Sequence, residues 1–203
     1  MNIIDANIYN NLDLLPFDLQ GWNGNSNIFS ELINKTKPNL IIEVGTWKGQ
    51  SAINMANCLK SNNISGRIIC VDTWLGALEF WDRLKHTPER NLKLKNGYPQ
   101  IYYQFLSNVV HLNLQNYIQP FPTTSSIAAQ YFKNNNITAN LIYLDGSHEY
   151  EDIKSDIKNY LAVLKTGGTL FGDDYNNFTG VQKAVDELLP SRCVKDGFWI
   201  YTE

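Results

Sequence analysis

The stretch Leu40-Ile-Ile-Glu-Val-Gly-Thr-Trp-Lys-Gly-Gln-Ser51 decides how the rest of the chain is read. Leu40 to Val44 is a short apolar run interrupted only by Glu43, and Pro38 ahead of it blocks a helix. Such a run predicts a buried parallel strand. Gly45 permits a sharp turn after the strand, and Gly49 lets a helix begin close to it. Ile53, Ala56 and Leu59 then recur at helical spacing across Gln50 to Lys60. Strand, glycine turn and helix make a nucleotide-binding corner. A dinucleotide site would carry Gly-x-Gly-x-x-Gly here, with a pyrophosphate on the helix end. This loop has only Gly45 and Gly49, with Glu43 beside them, which suits a cationic or amino-acid-like ligand better. An ordinary tight strand–helix turn stays open as the plainer reading.

Composition narrows the class. A chain of 203 residues has room for one domain, 1–203, with a full core. Its 17 basic and 20 acidic side chains leave a net charge of -3, without the basic stripe of a nucleic-acid binder. No apolar run reaches membrane-spanning length, and the first residues lack a basic region followed by an apolar core. Neither nucleic acid nor membrane is therefore expected as a partner, and a cytoplasmic location is. Cys58, Cys70 and Cys193 are far apart, odd in number and without metal-ligand spacing. They read as reduced, mostly buried thiols.

Residues 1–36 form an N-terminal helical and loop extension. Ser26 or Asn25 can cap a helix over Ile28 to Lys35, and Trp22 either packs or lines the mouth of the site. Arg67 to Val71 is a second strand ending in Asp72, which should lie beside the first by the right-handed crossover rule. Asp72 comes 27 residues after Gly45, a spacing suited to accepting from both hydroxyls of a ribose. A helix-capping or solvated Asp is the alternative. Residues 77–115 break the rhythm. Phe80, Trp81, Leu84 and His86 suggest one helical piece, and Tyr102, Phe105, Leu106 and Val109 a second helix. An insertion there is the usual place for a lid, with a long crossover as the bland alternative. Arg83, His86 and Arg90 read as solvated or structural. Tyr117 to Phe121 is weakly strand-like, and Ser125 or Ser126 starts a helix, where a hydroxyl either contacts an adenine or ribose edge or simply caps.

The second informative stretch is Asn140-Leu-Ile-Tyr-Leu-Asp-Gly-Ser-His-Glu-Tyr150. Leu141 to Leu144 reads as a buried strand with Asp145 at its end and His148 three residues on. A helix with Ile153, Ile157, Tyr160, Leu161 and Leu164 on one face follows, then a turn Lys165-Thr-Gly-Gly168, a strand Thr169 to Phe171, and Asp173-Asp174. Neighbouring strands lie about 5 Å apart, so Asp145, Asp173 and Asp174 should meet. Carboxylates that close repel one another unless a cation sits among them, and all-oxygen ligands select Mg2+, Mn2+ or Ca2+. Solvated loop acids are the plain alternative. Gly180 to Leu189 reads as a helix, and Arg192–Lys195 and Phe198–Tyr201 flank Asp196-Gly197, a strong hairpin signal.

Glu43-x-Gly45-x-x-x-Gly49 resembles the first motif of class I S-adenosylmethionine-dependent methyltransferases. Asp145, His148, Asp173 and Asp174 resemble one group within them, the metal-dependent sugar O-methyltransferases of macrolide tailoring, with their relatives named after cephalosporin hydroxylase. In that group an acidic residue ends the fourth strand, a His follows three residues later, and an acidic pair ends the fifth. The first of the pair is often Glu there and is Asp173 here. The resemblance covers roughly Pro38 to Asp186. It implies an α/β, Rossmann-like, three-layer sandwich with a mostly parallel seven-stranded sheet ending in an antiparallel hairpin. It also implies S-adenosylmethionine over the first two strands, held by Glu43, Gly45, Thr46, Trp47, Gly49 and Ser51, by Asp72, Thr73 and Trp74, and by Ser125 and Asp145. A divalent ion, Mg2+ (or Mn2+/Ca2+), is expected on Asp145, Asp173 and Asp174, with His148 as catalytic base. The expected reaction is O-methylation of a small acceptor, a sugar, glycan precursor or other polyhydroxylated molecule. Homo-oligomer formation stays open. The rivals are a non-catalytic cofactor- or glycan-binding protein on the same fold and an NAD-dependent oxidoreductase, whose sheet would end in a parallel strand.

Overall fold

The computed structural model describes residues 6–82 and 87–203. Arg83, Leu84 and His86, read above as part of or beside a helical piece, lie outside them. The first regular helix is α1 (Asn27–Thr36), capped by Ser26, whose side chain accepts from the Ile28 amide. β1 (Leu40–Val44) and α2 (Gln50–Ser61) follow, joined by the glycine turn. β2 (Arg67–Asp72) leads into the four-residue α3 (Leu78–Trp81) and then α4 (Ile101–His111). β3 (Ile118–Pro122), α5 (Ser125–Asn134), β4 (Ala139–Leu144) and α6 (Tyr150–Leu161) continue the alternation. β5 (Leu164–Gly172), α7 (Thr179–Leu188), β6 (Cys193–Lys195) and β7 (Phe198–Thr202) complete it.

The strands form one seven-stranded sheet in the order β3-β2-β1-β4-β5-β7-β6. The first five are parallel, β7 runs antiparallel to β5, and β6 runs antiparallel to β7. That ending is the antiparallel hairpin which the resemblance implies and not the parallel ending of a dinucleotide-binding fold. Both faces are covered, which is why the central strands are apolar at successive positions. Ile41, Ile68 and Tyr143 face one layer with Phe29, Met55 and Phe105 from α1, α2 and α4. Ile42, Ile69 and Leu144 face the other with Phe132, Ile157 and Val185 from α5, α6 and α7. No helix among the described residues is long and apolar enough to cross a membrane.

One local reading changes, and two others take a definite form. The turn expected at Lys165–Gly168 is part of β5, and the pairing with β4 slips between Ala139 and Leu141. Gly167, at φ +73°, takes up the extra residues as a bulge. Within residues 77–115, α4 is a core crossover helix, with Ile101, Phe105, Leu106 and Val109 buried. Cys58 and Cys70 are buried free thiols, whereas Cys193 is exposed on the edge strand.

Phe29 ties α1 to the sheet. Its fully buried ring lies 5.0 Å from Tyr143, 5.8 Å from Phe171 and 5.8 Å from Phe198, edge-on to each. Phe29→Ala should therefore cost about 3–5 kcal/mol of stability in urea unfolding, the range for a large ring lost from a rigid core. A loss within experimental error would mean that α1 is not anchored through this residue.

Candidate active site

The glycine turn sits where the strand order reverses, between β1 and β4, the usual crevice of an open α/β sheet. Gly45 has φ +84°, and a Cβ there would lie 1.9 Å from the Asp145 carbonyl oxygen. Only glycine lets the two strand ends approach this closely. Glu43 lies beneath the turn with no exposed surface. It accepts from Ser51 Oγ on one carboxylate oxygen and from Thr46 Oγ1 (2.8 Å) on the other. Burial pushes its carboxyl up to about 7 against those two bonds. Glu43, Thr46 and Ser51 thus brace the turn from inside.

Asp72 serves the same turn from β2. Its Oδ2 accepts from the amides of Thr46 (2.8 Å) and Trp47 (2.9 Å), and Oδ1 from the amide of Trp74 (2.7 Å). Three of roughly four acceptor positions of a carboxylate are thereby taken by backbone. Burial still raises its pKa above the usual carboxylate range. Thr73 uses its Oγ1 to accept from the Leu75 amide at 3.3 Å. Trp74 is only 2% exposed, and its indole donates to the Trp47 carbonyl at 2.8 Å. Its ring cannot face a cofactor. It supports the turn from below, 5.1 Å from Phe105. Ser125 opens α5, but Thr124 is the cap, and Ser125 Oγ donates to Asp156 Oδ1. Burial pushes Asp156 up to about 6.

The acidic residues gather at the ends of β4 and β5. Asp145, His148 and Asp174 each offer one ligand atom, and these atoms all lie within 4.8 Å of one another. Asp174, at φ +62°, turns its carboxylate back towards His148, whose Nε2 lies 3.0 Å from Oδ2. Phe178 stacks on the imidazole at 4.1 Å between centroids. Asp173 is 5% exposed and accepts from Asn23 Nδ2 at 3.4 Å. So the expected trio of aspartates becomes a pair plus the histidine, with Asp173 hydrogen-bonded behind Asp145. The left-handed backbone at Asp174 is what turns its carboxylate to the imidazole.

The charges register the crowding. Burial, then the charges of Asp173 and Asp174, hold Asp145 well above the usual carboxylate range. Burial and the Asp174 charge push Asp173 up to about 6. Burial also works against ionised Asp174, but hydrogen bonds from His148 and Asn177 outweigh it and hold the carboxyl low. The same bond raises the imidazole above its ordinary value. Buried carboxylates kept partly neutral by mutual repulsion are a donor set that a hard divalent cation would relieve.

The N-terminal segment contributes side chains that the sequence did not single out. Lys48, 2% exposed, reaches Asp18 at 2.9 Å and Gln20 at 3.3 Å. Trp47 donates to Gln20 Oε1 at 3.1 Å, and Gly24 N to Gln50 Oε1 at 3.1 Å. Residues 18–24 therefore strap the outside of the glycine turn, and Asn23 at the strap's end meets Asp173. Trp22 is 47% exposed and packs 6.0 Å from both Trp47 and Phe80. The pair of buried Lys48 with partly exposed Asp18 has no periodic signal to reveal it. A lysine inside the turn motif was the only clue.

Residues 42–175 match a family model described as a methyltransferase domain, and the chain belongs to this methyltransferase family. No curated protein matches the sequence. Its fold is similar to that of the O-methyltransferase from Bacillus cereus in complex with SAH, with a TM-score of 0.62 at 15% identity, covering 94% of this chain and 85% of that one. CalS11, the calicheamicin methyltransferase, aligns with a TM-score of 0.61 at 17% identity over 86% of this chain and 77% of its own. The O-methyltransferase NovP gives 0.60 at 16% identity over 87% and 76%. At such identities the likeness is one of fold.

Glu43 carries a pH signature. Its folded pKa of about 7 stands above the ordinary 4.5. Its contribution to stability is therefore full below about 4.5 and is lost as pH rises through about 7. Urea unfolding across that range should show stability falling with pH, and Glu43→Gln should flatten the fall. An unchanged slope in the variant would show that Glu43 is ionised in the fold throughout.

Proposed function

We propose that this protein transfers a methyl group from S-adenosylmethionine to a hydroxyl of a polyhydroxylated acceptor, aided by a divalent cation. The observation that carries the reading is the convergence of Asp145, His148 and Asp174 beside the Gly45 turn. S-adenosylmethionine supplies an activated methyl whose carbon–sulfur bond breaks as the carbon–oxygen bond forms. The turn braced by Glu43 and Asp72 would hold it, with the exposed edges of Asp72, Thr73 and Trp47 towards the ribose and Ser125 towards the adenine. A cation held by Asp145 and Asp174, with Asp173 behind them, supplies Lewis acidity for the acceptor hydroxyl. Hard Mg2+ or Mn2+ prefers those oxygens, which leaves the imidazole free for proton transfer. His148 would take the hydroxyl proton on Nδ1, with its Nε2–H donating to Asp174, which balances the charge formed, and its ring held by Phe178. Glu79 of α3 is near enough to act on the imidazole, which supports reading the segment after β2 as the cover that excludes water. The buried free thiols fit a reducing compartment, the cytoplasm.

Exhaustive dialysis against EDTA should abolish transfer of labelled methyl while calorimetry shows cofactor affinity almost unmoved, and Mg2+ or Mn2+ should restore the rate. Full activity in the chelated protein would remove the metal from the mechanism. His148→Ala should lower kcat by roughly 10²–10⁴ with the cofactor Kd unchanged, as for a lost general base. Near-parental turnover would make His148 a structural residue.

A further inference from the structure

Asp174 faces the imidazole through a left-handed backbone, at φ +62°. A residue other than glycine keeps such a conformation where its surroundings fix it. The turn that Asp174 opens runs to Phe178. The Asp174 carbonyl accepts from the amides of Asn177 and Phe178, both at 3.1 Å, and its Oδ1 accepts from Asn177 Nδ2 at 3.2 Å. One short turn thus carries both groups that meet His148: the carboxylate at Nε2 and the Phe178 ring on the imidazole face. These bonds hold the shape of the turn. They do not fix where it stands relative to His148.

Tyr175 supplies that second constraint. Its amide donates to the Gly197 carbonyl at 3.1 Å, which ties the turn to the β6–β7 hairpin. Its hydroxyl donates to Asp186 Oδ1 on α7 at 2.6 Å and accepts from Arg192 Nη2 at 2.9 Å. The phenol thereby uses its donor and an acceptor position together. Arg192 also pairs with Asp186, which closes a three-membered clamp. We propose that Tyr175, clamped by Asp186 and Arg192, is a positioning residue that registers the Asp174 carboxylate and the Phe178 ring against His148, a role that rests on the reading of Asp174 as a cation ligand above.

The helix that Tyr175 grips is the one against which His148 is placed. A Cβ at Gly180, in the first turn of α7, would lie 2.5 Å from the His148 carbonyl oxygen, so helix and His148 loop are in close contact. Further along α7, Glu187 binds Lys154 of α6 at 2.8 Å and also the hydroxyl of Tyr150, just after His148. Magnitudes separate positioning from plain support. The Asp186 and Arg192 side chains are 44% and 23% exposed, and ion pairs so exposed add little to global stability. The Tyr175 ring packs on the core layer under α5, α6 and α7, and removal of the hydroxyl alone leaves that packing in place. A displaced ligand is felt directly, since partners that orient metal ligands change affinity by about 10–100-fold.

Tyr175→Phe and Asp186→Ala, made singly and together in the full chain, test the clamp. Mn2+ alone is the probe, its affinity read by electron paramagnetic resonance, while NMR follows hydrogen exchange at the Asn177 and Phe178 amides. Tyr175→Phe should raise the Mn2+ Kd about ten-fold or more and speed exchange at both amides, with the melting temperature and SAH affinity almost unmoved. The double variant should be no worse than the poorer single one, because the two side chains act as a unit. Parental Mn2+ affinity in Tyr175→Phe, unaltered exchange, or losses that add in the double variant would overturn the proposal. So would a loss of Mn2+ affinity matched by equal losses of SAH affinity and melting temperature, which would make Tyr175 a general support of the fold. If the parent protein itself binds no Mn2+, the cation leaves the reading of function, and the clamp stands or falls on the exchange rates: faster in Tyr175→Phe upholds it, unchanged overturns it.

Discussion

The close approach of the Gly45 backbone to the Asp145 carbonyl sets the geometry of everything above the sheet. A side chain at Gly45 would collide with that oxygen at 1.9 Å, so β1 and β4 can lie side by side to their very ends only because none is there. The contact is secured on both flanks. Gly45 N donates to the Val71 carbonyl at 2.9 Å, and Asp145 N to the Val44 carbonyl at 2.8 Å. Three strands are thus locked together at the point where the chain leaves the sheet. The loops that emerge there start from fixed positions, and the side chains they carry are placed without any further device.

Around this point the protein concentrates carboxyl groups that water would normally solvate. Glu43 is answered by hydroxyls, Asp72 by backbone amides, and Asp174 by an imidazole. Asp145 accepts from the Tyr143 hydroxyl at 3.2 Å and Asp173 from Asn23 at 3.4 Å, and the two carboxyls also bond each other, yet burial and their neighbours' charges still hold both high. The difference between the two halves is functional. Glu43 and Asp72 are satisfied internally and hold the turn rigid. Asp145 and Asp173 are left in a state that folding alone does not favour, which is the condition expected of groups kept for a ligand.

Much of the fold was legible because its signals are local. The apolar strands, the glycine turn, the helix periodicities and the Asp196-Gly197 hairpin each sit within a few residues. The acidic ends of β4 and β5 were legible as a meeting point, since parallel neighbours share their carboxyl ends. What could not be read was direction. Nothing in Asp173-Asp174 tells which side chain turns towards His148, because that follows from a left-handed backbone at Asp174. Trp74 read as a cofactor neighbour, yet the same kind of reversal at its own position buries it. The strap from Asp18 to Asn23 was invisible for a different reason. Its contacts span 26 to 150 residues and depend on single side chains, so no pattern along the chain records them.

The hairpin at the end of the sheet has a consequence for how the molecule is made. β7 lies between β5 and β6, and Trp199 closes one face of the core while Phe198 closes the other. Because a ribosome delivers the chain from its N-terminus, β5 is released well before the strand that covers its open side. During that interval the nascent protein presents an apolar, unpaired edge, the kind that adheres to other chains. Biogenesis, rather than the finished protein's stability, is therefore the stage at which this architecture is most exposed to aggregation and most in need of a chaperone.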